Sequence, residues 1–291
     1  MGGVPEAMPS QRLLVVMAHP DDESFGPGGT LARYAHDGEV HLLCGTRGEV
    51  GVVDAHLLEG YSDIAELRTA ELACAAGYLG LQAVEYLGYR DSGMAGSDTS
   101  RDPRCLAMAP QAEVTARIVT SMRLFRPQVV LTFDQYGGYG HPDHLAIHTA
   151  TVAAFHAAGD ATQFPDAGPP YAPQKLYFSV FSKRLMRGMV RVMRLIGRDP
   201  SKFGRNQDID LAEIAGWEVP ITTRIDVSPW YEARLAAARC HHSQGGGSGM
   251  WRPIPGPLRR RLLGTETFFR AYPEVAPGAR AETDLFAGVR R

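Results

Sequence analysis

Residues 12–18 (Arg-Leu-Leu-Val-Val-Met-Ala) form a continuous apolar run, the pattern of a strand covered on both faces. A polar, glycine-rich turn follows from His19 to Gly29, and then a short helical pattern ends near Gly38. Val40 to Cys44 predicts a second strand, which runs out in Thr46-Arg47-Gly48-Glu49. Residues 63–76 and 110–125 read as amphipathic helices, and 128–133 as another buried strand. Pro142 stands where a helix begins, its fixed φ suiting the first turn, so a helix is expected from there to about Ala157. Strands at 175–180 and 219–227 follow, and Ser228-Pro229 caps a helix to about Cys240.

Strands alternating with helices predict an α/β fold, a three-layer Rossmann-like arrangement around a mainly parallel sheet. The expected organisation is one domain over 1–291, with a core at about 10–160 and a smaller C-terminal portion, about 161–291, helping to close the site. Sheets of this kind carry their sites at the C-terminal ends of the strands. That rule points to His19, to Glu49 and to the loop after Phe133. The Gly-, Pro- and Ala-rich stretch 159–173 reads as a loop. Gly245-Gly246-Gly247-Ser248-Gly249 reads as the most flexible segment, fit to move over a site.

Composition narrows the function classes. With 44% hydrophobic residues and a net charge of −2, the 291-residue chain is neither disordered nor a polycation built for nucleic acid. Its four cysteines (Cys44, Cys74, Cys105, Cys240) are scattered. That argues against a disulfide framework or a cysteine zinc site, places Cys74 in a helical core pattern, and implies a reducing, cytoplasmic setting. No apolar run reaches the roughly 18 residues of a membrane span, and no secretory signal is visible. Met1-Gly2 is followed at position 6 by Glu, which counts against myristoylation. A basic stretch, Lys183, Arg184, Arg187, Arg191, Arg194 and Arg198, alternates with Met186, Met189, Val190, Met193, Leu195 and Ile196. It reads as a solvated charged face over an apolar stripe, with a membrane- or partner-bound helix as the alternative.

The chemistry sits in two motifs, Ala18-His19-Pro20-Asp21-Asp22-Glu23 and Gly140-His141-Pro142-Asp143-His144. Each follows a predicted core strand, so both can converge on one rim of the sheet. Two imidazoles and a carboxylate with open positions suit a hydrolytic zinc site or a non-haem iron site. His141 and His144, three apart at a helix start, share a face. Gly26-Pro27-Gly28-Gly29-Thr30 mimics a dinucleotide loop, but Leu31 takes the third glycine's place and the acidic residues before it would repel a pyrophosphate.

At these residues the sequence resembles the PIG-L/LmbE-like family of metal-dependent de-N-acetylases, from His19 to about Gln244, with the mycothiol-pathway branch most similar. The resemblance implies zinc (or Fe2+) held by His19, Asp22 and His144. It implies Asp21 as general base, His141 as general acid or oxyanion stabiliser, and Asp143 orienting His141. Tyr139 looks like the family's mobile tyrosine, which helps stabilise the tetrahedral intermediate. Arg68 and Asp91 resemble substrate-binding positions, Glu49 stands at a strand end where it suits similar work, and His241 and Gln244 match a C-terminal signature near the site. The implied activity is removal of an N-acetyl group from a GlcNAc-type substrate such as N-acetylglucosaminyl-inositol. The close alternatives are a mycothiol conjugate amidase and a bacillithiol- or antibiotic-pathway deacetylase. Two other classes are an Fe(II) oxygenase, which would not need Asp21, and a non-catalytic sugar binder, which needs neither Asp21 nor His141. The expected partner is a small amino-sugar, with no nucleic acid and no stable membrane insertion; a homo-oligomer is compatible with the sequence.

Overall fold

The computed structural model describes residues 11–204, 207, 209–246 and 255–290, with Arg184 and Leu185 described by backbone alone. Met1-Gly2 and the Gly247–Gly249 part of the glycine run lie outside the described residues. Seven strands form one sheet: β1 (Gln11–Met17), β2 (Gly38–Cys44), β3 (Ala83–Tyr86), β4 (Val129–Phe133), β5 (Lys175–Ser179), β6 (Thr223–Asp226) and β7 (Thr265–Tyr272). The longer helices are α1 (Gly28–Asp37), α2 (Ile64–Leu79), α3 (Gln111–Phe125), α4 (Pro142–Ala157), α5 (Lys183–Leu195), α6 (Tyr231–Cys240) and α7 (Gly256–Leu263).

The strand order is β3-β2-β1-β4-β5-β7-β6. The first five strands are parallel, and only β7 runs against its neighbours β5 and β6. The expected α/β fold with a mainly parallel sheet is the one observed. The crossovers put α1 and α2 on one face, joined by α6, and α3 and α4 on the other. This covering explains the apolar runs: Leu13 to Met17 and all of β4 except the edge of Phe133 are almost without exposure. The chain leaves β1 toward β2 on one side, whereas β4 lies on the other, so a crevice opens between the C-terminal ends of β1 and β4.

Several expectations need correcting. The strand expected over 219–227 is only Thr223–Asp226, because Pro220 cannot donate to a ladder. Cys74 is not core. It lies exposed on α2 and is joined to Cys240, the last residue of α6, with 5.8 Å between Cα atoms across 166 residues of sequence. The scattered spacing concealed this because the two helices pack side by side. The dinucleotide-like loop opens α1, whose first N–H groups, of Gly29 and Thr30, donate to the Glu266 carboxylate at 2.9 and 2.8 Å. A side chain of this protein therefore holds the place a pyrophosphate would need.

Candidate active site

After β1 the chain turns back on itself, with Asp22 N–H donating to the His19 carbonyl at 3.3 Å. Asp22 Oδ2 accepts the N–H groups of Ala18 and His19 at 3.2 and 2.8 Å, which pins this carboxylate over the strand end. Its other oxygen, Oδ1, lies 3.3 Å from His144 Nε2. His144 comes from the first turn of α4, where Pro142 is the first helical residue and His141 the N-cap, its Nδ1 accepting Asp143 N–H at 3.2 Å. Gly137 is required beside it. Its φ is +61°, and a Cβ there would fall 2.8 Å from the His144 Cβ. The Gly137 carbonyl then meets His144 Nδ1 at 3.0 Å.

These contacts decide which nitrogens are free. His144 Nδ1 donates to Gly137 and so leaves the Nε2 lone pair bare. His19 Nε2 faces Asp143 Oδ2 at 3.1 Å and Asp91 Oδ1 at 3.4 Å, which turns Nδ1 inward. The two inward nitrogens stand 3.2 Å apart, with Asp22 Oδ2 3.7 Å from His19 Nδ1. Facing lone pairs beside a carboxylate call for a positive charge between them, a shared proton or a metal ion. Burial opposes a proton on His19, but Asp91, Asp143 and Asp22 together raise its pKa. The donor set thus fits a divalent metal, and the outer partners of both rings are those that fix a ligating histidine. His141 is within reach as well: His19, His141 and His144 each bring a ring nitrogen within 4.8 Å of the others.

Asp21 stands next to this cluster in a backbone conformation that side-chain-bearing residues rarely adopt, φ 125°. One oxygen meets Arg68 Nη2 at 3.1 Å, and Arg68 itself is buried, donating also to the carbonyls of Pro20 and Gly48. Gly48 is the second glycine the site requires. At φ +69°, a Cβ would lie 2.0 Å from Arg68 Nη1. Burial pushes the Asp21 carboxyl up to about 7; Arg68 works against that shift and Asp22 with it. A carboxylate poised there can exchange a proton near neutral pH.

The remaining expected residues converge on the same rim, in places with different partners. The Asp143 carboxylate does not orient His141. It binds His19 Nε2, Ser92 N–H at 2.9 Å and the Ser92 hydroxyl, because the α4 N-terminus directs it across to the loop after β3. Burial and the neighbouring His19 and His144 hold the His141 pKa well below its ordinary value. Asp91 Oδ1 accepts Gly93 N–H at 2.8 Å, and Glu49 Oε2 accepts Asp91 N–H at 3.0 Å. Tyr139 lies edge-on, its ring centroid 4.9 Å from that of His144 and 6.0 Å from that of His141. Gln244 Nε2 reaches Ser243 Oγ at 3.1 Å near the Gly48–Gly51 turn. His241 is a correction. It is fully buried, with Nε2 2.7 Å from Glu23 Oε1, and has no surface for a substrate.

The sequence reading missed the supports. Glu23 accepts Asp21 N–H at 3.0 Å while paired with His241, and so braces the strained turn from behind. Ser243 binds the Glu71 carboxylate on α2 through N–H at 2.7 Å and hydroxyl at 2.6 Å, tying the 241–244 segment to the helix that carries Arg68. The available signal for Glu23 was a third acidic residue directly after two aspartates at a strand end.

The chain has relatives among known proteins. Residues 14–155 match the family model described as PIG-L, GlcNAc-PI de-N-acetylase. The chain is similar to a 1D-myo-inositol 2-acetamido-2-deoxy-alpha-D-glucopyranoside deacetylase of Rhodococcus jostii (strain RHA1), 38% identical over 299 residues, covering 97% of this chain and 99% of that protein. It is also similar to the protein of the same description from Rhodococcus opacus (strain B4), 40% identical with the same coverage. Among solved structures, N,N'-diacetylchitobiose deacetylase from Pyrococcus horikoshii superposes with a TM-score of 0.62 over 93% of this chain and 88% of that one. At 18% identity that likeness speaks for the fold alone.

Proposed function

Since the chain belongs to the PIG-L family of de-N-acetylases, we propose that it hydrolyses the acetamide of 1D-myo-inositol 2-acetamido-2-deoxy-α-D-glucopyranoside, releasing acetate and the free amine. The observation that carries the reaction type is the pair of inward imidazole nitrogens 3.2 Å apart, flanked by Asp22 and with Asp21 alongside. The substrate is inferred from the relatives' activity, supported by identity over nearly the whole length of both chains.

His19, Asp22 and His144 would hold the metal, and a nitrogen-rich, three-ligand set with one carboxylate suits Zn2+, with Fe2+ as the other candidate. When bound, such an ion is a Lewis acid that acidifies water and polarises the amide carbonyl. Asp21 takes the proton of the attacking water, for which its raised pKa and its fixed orientation on Arg68 equip it. His141, neutral in its buried position with Nδ1 accepting Asp143 N–H, donates from Nε2 to the developing oxyanion, and the proton that Asp21 took from water passes to the leaving nitrogen. Tyr139, whose ring lies beside those of His144 and His141, helps to stabilise the same oxyanion. Asp143 acts one step back, holding His19 in the tautomer that presents Nδ1. Arg68 holds Asp21 in place and, with Glu49, Asp91 and Gln244, lines the approach for sugar hydroxyls.

The test is acetate release by the zinc-loaded protein from N-acetylglucosaminyl-inositol, with an S-conjugated cysteinyl derivative as competitor substrate. Acetate release without cleavage of the conjugate supports the proposal; cleavage of the conjugate alone would move the protein to the amidase branch.

A further inference from the structure

One feature of the chain plays no part in hydrolysis, the basic stretch that forms α5 and its continuation. From Lys183 to Lys202 there are seven Lys or Arg residues against Asp199 alone, a net +6, so the rest of the chain carries −8 of the overall −2. The first half of α5 is docked. Lys183 Nζ donates to the Ile214 carbonyl at 3.0 Å and Arg187 Nε to that of Ala215 at 3.3 Å. Met186 and Val190 fill a small core with Leu211, Ile214 and Ala215.

The second half is held only through Met193, which packs on the edge of that core. Val192, Leu195 and Ile196 are 56%, 85% and 63% exposed. They alternate with Arg191, Arg194 and Arg198, also exposed, none of which forms an ion pair with a described residue. A merely solvated helix face carries charges of both signs and keeps its large aliphatics covered. Here aliphatic and cationic side chains share the open face and acidic ones are missing from the helix, the composition of a helix lying in a membrane interface. Nucleic acid would use the cations but not Leu195 and Ile196, and α5 has no aromatic for a base to stack on.

We propose that α5 docks this protein peripherally on an anionic phospholipid surface. Arg191, Arg194 and Arg198 lie against headgroup phosphates, while Val192, Leu195 and Ile196 enter the boundary with the acyl chains. No described helix is long and apolar enough to cross a membrane, so the attachment is reversible and superficial. The proposal is independent of the hydrolytic reading.

The experiment is co-sedimentation of the full-length protein with phosphatidylcholine vesicles, with and without phosphatidylglycerol. The protein should partition onto the anionic vesicles only, and leave them near 1 M salt, where the Debye length falls to about 3 Å. The triple variant Arg191→Glu, Arg194→Glu, Arg198→Glu should lose about a hundredfold or more in partitioning. Leu195→Ser with Ile196→Ser, at unchanged charge, should lose about tenfold. Both variants change exposed positions and should keep the wild-type circular dichroism and turnover of soluble substrate. Absence of wild-type binding to anionic vesicles at low salt overturns the proposal. So does full retention of binding in the serine variant, which would mark simple polyelectrolyte adhesion. Self-association lost in the serine variant, without vesicle binding, would assign the face to a second copy of the chain instead.

Discussion

The sheet rim and the outer half of α5 handle charge in opposite ways. At the rim, His19, Asp21, Asp22, Asp91 and Asp143 are buried or nearly so, and each meets an oppositely charged side chain, an imidazole or a backbone N–H. On the outer half of α5 and just past its end, Arg191, Arg194 and Arg198 stand in solvent beside uncovered aliphatics. A buried charge persists only when paired, so a dense buried network fixes donor positions to within tenths of an ångström and can do chemistry. An exposed unpaired charge fixes nothing within its own chain. What it offers is attraction for something outside.

If that contrast is right, substitutions at the rim should have large and specific effects, and those on the docked side of α5 small and local ones. The largest is expected for Asp22→Ala and His144→Ala. Each removes one of the three proposed ligands and should empty the metal site and abolish acetate release, read by elemental analysis beside turnover. Stoichiometric metal in both variants would show that His141 or Asp91 completes the site instead. Next is Gly48→Ala. Its Cβ would overlap the Arg68 guanidinium at a positive φ, costing about 2–4 kcal/mol in stability, with kcat falling as Arg68 leaves Asp21. Chemical denaturation measures the first and steady-state kinetics the second; an unchanged midpoint would mean that the Arg68 guanidinium does not pack on Gly48. The smallest is Val190→Ala, which trims the five-residue cluster beneath α5 and should lower protection from hydrogen exchange over Lys183–Leu195, leaving β1 and β4 unaffected. Equal loss of protection in β1 would merge the two regions into one cooperative unit.

The same contrast governs what could be read from the residues alone. The rim was legible because each motif is contiguous and follows a run apolar enough to mark a buried strand; α4 begins and ends at the expected Pro142 and Ala157. The mainly parallel sheet followed from the alternation of strands and helices. β3 escaped notice, being four residues with no clean alternation, and so did β7, an antiparallel strand after the basic α7. Contacts between distant residues were beyond a linear reading: Glu23 with His241 across 218 positions, and Cys74 with Cys240 across 166. The direction of Asp143 was missed for another reason. Adjacent motif residues suggested His141 as its partner, but at a helix N-terminus successive side chains diverge, and the carboxylate reaches Ser92 and His19 instead.

The claim at the centre is that Asp21 moves the proton while His19, Asp22 and His144 hold the metal, and Asp21→Asn separates the two roles. The amide keeps the size and can still accept from Arg68, so metal content and fold should match wild type while kcat falls by about a hundredfold or more. Burial pushes the Asp21 carboxyl up to about 7, and the base works only when ionised. A cation bound beside it lowers that value, so wild-type turnover should rise with pH as Asp21 ionises, at or below about 7, a limb that the asparagine enzyme should lack. Metal analysis and the pH dependence of acetate release, run on both proteins, give the answer. Normal metal with a hundredfold slower, limb-free profile is the predicted result. Wild-type turnover in Asp21→Asn, or loss of its metal, would contradict the assignment.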